Sequence, residues 1–227
     1  MPFSMGKIMD VLEILKNRKS VREYSKYKVT DEEVGKILEA VQRTPSGKNT
    51  QPWRLRLVQG EKLEKLRQVL CNAFDCGVEP APELNTTLLQ AYRSRAVALG
   101  KSLFTYKGIA REDTEARRKH DRLNFEFFGA PQVFALGIDK NAYHEGTLID
   151  CGIFLGYLLT AIEGAGFGSC PQMSPLMYAK EIRKVLPEED TRFLCFIPFG
   201  KPLENSYVNQ FVTEREPLES WFIKYSE

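Results

Sequence analysis

The stretch CGIFLGYLLTAIEGAGFGSCPQ, Cys151 to Gln172, joins a long apolar run to a glycine-rich turn. The run from Cys151 to Ile162 lies between Asp150 and Glu163 and is too short for a bilayer, which takes about 20 residues, so it reads as a buried helix over 147–165. The turn that follows, GAGFGSCPQ at 164–172, does not have the GxGxxG spacing and comes after a helix rather than a strand. That argues against a doubly wound dinucleotide-binding fold. Its plain reading is a helix C-cap and a turn into a short strand. Its functional reading is a run of exposed backbone N–H groups brought close to a flat ligand.

Working outward, PQVFALGI (131–138) and RFLCFIPFG (192–200) are apolar enough for strands, and WRLRLVQ (53–59) alternates as a half-buried strand does. Helical spacing predicts a short helix over 8–16, a second after the Thr30/Glu33 capping box, and a third over 61–74. Residues 77–124 are polar and mostly helical after the proline-rich EPAPE, and the tail 201–227 keeps Tyr207, Phe211, Trp221 and Phe222. Such a tail is expected to dock on something, another subunit included. Helices and strands are mixed rather than alternating, which points to an α+β class.

The chain of 227 residues has 43% hydrophobic and 27% charged residues and a net charge of +2, the balance of an ordinary globular protein. Nucleic acid and anionic membrane surfaces are not expected as partners. The five cysteines form no CxxC pair and read as reduced thiols in a cytoplasmic protein, and MPFSMGKIMD lacks the pattern of a signal peptide. His120 and His144 have no metal-ligand spacing, so no metal is expected, and GxSxG is absent. Cys170 with His144 is a conceivable nucleophile pair, but a buried, inert thiol is the simpler reading. Asp150 and Glu163 most simply cap or solvate the ends of the apolar helix.

Arg18, Lys19, Ser20 and Arg22 place three cations and a hydroxyl within five residues, either a solvated loop or a grip for a phosphate. TPSGKNTQPW, 44–53, sets a polar turn directly against an indole, an unusual neighbour for a solvent spacer. A candidate anion site without an obvious side-chain catalyst suits an enzyme whose cofactor does the chemistry.

Taken in order, RKSVRE, TPSGKNTQPW, GFGSCPQ, FGKP and TEREPLESW resemble the FMN-dependent nitroreductase family along nearly the whole chain. The segment AYRSRAVALGKSLFTYKGIAREDTEARRKHDRLNFEFFGAPQV resembles its nitrobenzoate-reductase-like subgroup. The related iodotyrosine deiodinases share the R-S-x-R element but usually carry Glu where this chain has Gln51, and their substrate-clamping lid is not found.

The resemblance implies a three-layer fold, a mixed and mostly antiparallel sheet between helices, in an intertwined homodimer. Residues 1–227 would form one FMN-binding domain, with 77–128 a helical excursion over the active site and 201–227 a tail wrapping the other subunit. Arg18, Ser20 and Arg22 would hold the FMN phosphate and ribityl chain, with Lys19 or Arg22 near the pyrimidine edge and Arg215 returning to the phosphate. Pro45, Ser46 and Asn49 would lie against the partner's flavin, and Ser169, Cys170, Pro171 and Gln172 would face N5. Trp53 would anchor the polar loop. Lys48 and Phe128 are candidates for the substrate pocket. The implied activity is ping-pong hydride transfer from NADH or NADPH to a small nitroaromatic or quinone-like acceptor, with no catalytic side chain. A reductive dehalogenase or enoate-type reductase of the same fold, and a flavin-binding redox sensor without turnover, are the alternatives.

Overall fold

In the computed structural model, which describes residues 11–85 and 89–226, the sequence's apolar runs pair into one sheet. Its strands are β1 (Trp53–Gln59), β2 (Gln132–Asp139), β3 (Gly168–Ser169) and β4 (Thr191–Gly200), in the order β1-β2-β4-β3. Every neighbouring pair is antiparallel. The expected mixed character enters through isolated parallel bridges, Ser20 with Ser169 and Ala81 with Tyr178.

The helices are α1 (Val11–Asn17), α2 (Asp31–Val41), α3 (Gly60–Asp75), α4 (Arg93–Tyr106), α5 (Thr114–Arg122), α6 (Glu145–Gly164) and α7 (Ala179–Val185). Residues 8–10 of the predicted first helix lie outside the described residues. α7 was not anticipated from the sequence. The capping box forms as read: Glu33 N donates to the Thr30 hydroxyl, and Thr30 N donates to the Glu33 carboxylate.

Central β2 is buried on both faces, which is why its sequence is continuously apolar. Phe134 and Leu136 meet Ile37 and Val41 of α2 and Phe154, Leu158 and Ile162 of α6. Val133 and Ala135 meet Leu63, Leu66 and Leu70 of α3 and Ile182 of α7. The result is three layers, and each fully buried large side chain contributes about 1.5–3 kcal/mol. Leu136 pairs with Cys195 but Gly137 pairs with Phe193, leaving Leu194 as a bulge. The extra residue resets the alternation, so Phe193 and Phe196 share the α3/α7 face.

α6 departs from the expectation of a buried helix. One stripe, with Phe154, Leu158 and Ile162, packs on the sheet, while Ile149, Ile153 and Tyr157 are exposed in the single chain. Its 20 residues are also long and apolar enough to cross a membrane by composition alone, unlike the shorter run from Cys151 to Ile162. The stripe on the sheet commits it to the fold described here.

Candidate active site

The cationic loop leaves α1 at Arg18, whose N–H still donates to Ile14 O at 2.9 Å. It then runs beside β3, with the Ser20–Ser169 bridge and Val21 N donating to Ser169 O at 3.0 Å. Close approach requires Gly168: a Cβ there would fall 2.4 Å from Val21 Cγ2. Cys170 is fixed by its N–H to Pro198 O, and Gln172 by a two-way backbone bridge to Phe196. The structure thus brings Arg18, Lys19, Ser20 and Arg22 together with Ser169 and Cys170.

This cluster is electrostatically open. Among the described residues, Arg18, Lys19 and Arg22 form no ion pair, and Arg18 Nη1 is buried without a hydrogen-bond partner. Burial raises the Glu163 carboxyl, and Arg18 and Lys19 oppose that rise. Burial also pushes the Cys170 thiol up, against Arg22, a Ser20 hydrogen bond and Arg18. Half-buried cations without an ion pair, one with a buried unpartnered nitrogen, are unfavourable alone, so the cradle suits an oxyanion. The Gln172 Oε1 is likewise buried and unpartnered, while its Nε2 donates to Asn124 O at 2.5 Å.

The 44–53 loop occupies the other end of α6. Gly47 N–H donates to Asp150 Oδ1 at 3.0 Å, and Ser46 Oγ accepts from Gln51 N–H at 3.0 Å. Lys48, Asn49 and Gln51 have φ of 51°, 58° and 48°, left-handed values that are unusual for residues other than glycine. Trp53 anchors the loop by stacking on Phe154 of α6, with ring centroids 4.8 Å apart. Asp150 is therefore not a solvated helix end but a buried acceptor that fixes the loop. From Asp150 to Glu163 the helix rises about 20 Å, so Pro45, Ser46, Lys48 and Asn49 do not reach the Arg18 cluster of the same chain. His144 is occupied otherwise: its Nδ1 caps α6 by accepting from Gly146 and Thr147 N–H.

Arg215 lies on the exposed tail and donates within its own segment, to Thr213 and Glu214. The tail instead reaches the cluster through Asn209. Its Oδ1 accepts from Arg22 and Glu23 N–H at 2.8 and 3.1 Å, and its Nδ2 donates to Glu23 O at 2.7 Å. Phe128 is buried beneath the Arg22 guanidinium, 5.9 Å from ring centroid to Cζ, rather than lining open space. Two residues missed in the sequence, Lys107 and His120, also face Arg22. No motif marks them, and only the packing of α4 and α5 brings them in.

Residues 15–201 match the model of the nitroreductase family, and the chain belongs to that family. It is 29% identical over 210 residues to the 4-nitrobenzoate reductase of Pseudomonas putida, covering 92% of each chain. It is 26% identical over 192 residues to the iodotyrosine deiodinase of Thermotoga neapolitana, covering 84% of this chain and 87% of that one. Its fold superposes with a TM-score of 0.88 on the FMN-dependent nitroreductase NfnB of Mycobacterium smegmatis in complex with NADPH, at 27% identity and covering 96% and 98% of the two chains.

Proposed function

We propose that this protein is an FMN-dependent NAD(P)H oxidoreductase that reduces nitroaromatic or quinone-like acceptors, working as a cytoplasmic homodimer. The observation that carries the reading is the cradle of Arg18, Lys19, Ser20 and Arg22, with a buried guanidinium nitrogen left without a partner. Its donor set fits a phosphate, and Arg22, stacked on Phe128, fits the edge of a flat ring. FMN bound there would supply two-electron hydride exchange at N5 of its ring.

This chain's residues then have defined tasks. Arg18, Lys19 and Ser20 bind the phosphate, with Arg215 as a further cation from the tail. Arg22 places positive charge at the pyrimidine edge. Ser169, Cys170, Pro171 and Gln172 set the backbone that faces N5. Pro45, Ser46 and Asn49 belong to the site of the second copy, because α6 holds them about 20 Å from their own chain's cradle. The exposed α6 stripe of Ile149, Ile153 and Tyr157 supplies an apolar contact for that copy. Residues 77–128 cover the site, and the exposed tail beyond Phe211, with Trp221 and Phe222, wraps the partner. With one open face, donor and acceptor take turns, and double-reciprocal plots are parallel.

The test is an absorbance spectrum of purified protein after FMN reconstitution. The expected result is a flavin spectrum bleached anaerobically by NADPH or NADH and restored by 4-nitrobenzoate or a quinone. Failure to take up flavin overturns the reading, and a flavin that neither nucleotide bleaches overturns the enzymatic part.

A further inference from the structure

Residues 124–130 make a turn that the backbone resists. Phe127 and Phe128 have φ of 52° and 54°, and Gly129 follows at 69°. Successive left-handed phenylalanines are unfavourable and last only where their surroundings over-determine them. The turn sends the two rings to different places. Phe127 is fully buried, its ring centroid 5.5 Å from that of Phe196, whereas Phe128 reaches the Arg22 guanidinium.

Arg67 of α3 and Gln172 hold this turn. The Arg67 side chain is only 16% exposed, and its Nη1 pairs with Glu64. Its Nε donates to Glu126 O at 2.9 Å and its Nη2 to Ala130 O, so one guanidinium ties both ends of the turn. A planar fork can span two carbonyls in this way, and an ammonium cannot. Gln172 Nε2 donates to Asn124 O just before the turn. Within it, Phe128 N–H donates to Leu123 O at 2.9 Å and Ala130 N–H to Phe127 O at 3.0 Å.

Arg22 depends on the turn for its place. Asn209 holds its backbone, but among the described residues its guanidinium forms no ion pair and donates one long hydrogen bond, Nη1 to Ser20 O at 3.4 Å. The Phe128 ring, 5.9 Å from Cζ, is the surface against which it rests.

We infer that Arg67 is a positioning residue for the flavin. By pinning the left-handed turn it holds Phe128 beneath Arg22, and so fixes where the guanidinium charge stands at the pyrimidine edge. This rests on the FMN reading above. The reduced ring carries more negative charge at that edge than the oxidised ring, so a well-placed cation favours the reduced form. Arg67 acts through Phe128 and not by its own charge.

Arg67→Ala, Arg67→Lys, Phe128→Leu and the double variant Arg67→Ala/Phe128→Leu should be loaded with FMN and their midpoint potentials measured beside wild type. In Arg67→Ala the preference for reduced over oxidised FMN should fall roughly tenfold, which lowers a two-electron potential by about 30 mV. Arg67→Lys, with the charge but not the fork, should fall with it. Phe128→Leu leaves the α3 clamp untouched and should show a drop of similar size. The double variant should show no further drop, because the two residues act in series. In flavin-free protein, exchange of the Phe128 and Ala130 N–H groups should quicken roughly tenfold in Arg67→Ala while β2 stays as in wild type. A potential unchanged in Arg67→Ala or Phe128→Leu, as when both oxidation states weaken equally, overturns the inference and leaves Arg67 a structural role. So do drops that add in the double variant, a wild-type potential in Arg67→Lys, or unchanged exchange in the turn. A wild-type protein that takes up no FMN removes the cofactor reading, and the inference with it.

Discussion

Tyr106 and Tyr207, 101 positions apart, clasp each other: each phenol donates to the other's backbone carbonyl, at 2.9 and 2.6 Å. Their rings stack 4.2 Å apart and 5° from parallel. The clasp ties the end of α4, immediately before Lys107, to the tail two residues before Asn209, which holds the Arg22 backbone. Stacking and two reciprocal hydrogen bonds hold the two segments in register. In Tyr207→Ala, amide hydrogen exchange across 93–122 should quicken roughly tenfold, while exchange in β2 stays as in wild type. Unchanged exchange in α4 and α5 would mean that the helical excursion is held by other contacts.

Arg22→Ala should purify with much less FMN. Loss of a charge-assisted contact costs about 1.5–3 kcal/mol, roughly tenfold to over a hundredfold in affinity. Flavin-to-protein absorbance after gel filtration at micromolar concentration is the measurement, and stoichiometric flavin in the variant would contradict the role given to the cradle.

Asp150→Ala leaves the Gly47 N–H without its acceptor and frees a loop that already carries three left-handed residues. An orphaned donor of this kind costs about 1–3 kcal/mol. The midpoint of thermal unfolding should drop by several degrees, and flavin should be released faster on dilution, followed by its fluorescence. Asp150→Asn keeps an acceptor oxygen and should lie between the variant and wild type.

His120 makes stability depend on pH. Its folded value is about 4 against an ordinary 6.5, lowered by burial first and then by Lys107 and Arg22. Between these values the unfolded chain binds a proton that the folded chain does not, so stability rises with pH across the window. The loss on acidification begins near 6.5 and is complete below the folded value. With solvent at the half-buried ring, the contribution is about 1–2 kcal/mol. Urea unfolding at pH 7 and pH 4.5 should show wild type losing that much more stability than His120→Gln; equal losses would show that the ring titrates normally.

The sequence revealed what has a local cause. β1, β2 and β4 announce themselves by alternation or apolar runs, and α2 by its Thr30/Glu33 cap. The resemblance assigned the Arg18–Arg22 loop and Ser169–Gln172 to one flavin, while the backbone bridge from Ser20 to Ser169 that sets the two segments side by side had no local signal. α6 was half legible: apolarity signals a helix that must be covered but cannot say that the sheet covers one stripe and leaves Ile149, Ile153 and Tyr157 open. The contacts of Asp150 and Asn209 were hidden because their partners lie far along the chain, and those of Lys107 and His120 because only the packing of α4 and α5 brings them to Arg22. Arg22 and Asn209 are 187 positions apart, and Gly47 and Asp150 are 103 apart. Neither periodicity nor capping chemistry reports a contact of that range.

The placement of the cradle and the 44–53 loop at opposite ends of α6 also has a genetic consequence. If each site takes its cradle from one copy and its loop from the other, a chain damaged only at Arg18 and a chain damaged only at Asn49 are complementary alleles. Either alone yields dimers in which every site is defective. Co-expressed, they form mixed dimers holding one site with two wild-type halves and one with two damaged halves, so two inactive genes together restore activity. A cell that inherits both would score as healthy, and selection on either lesion would depend on the other's frequency.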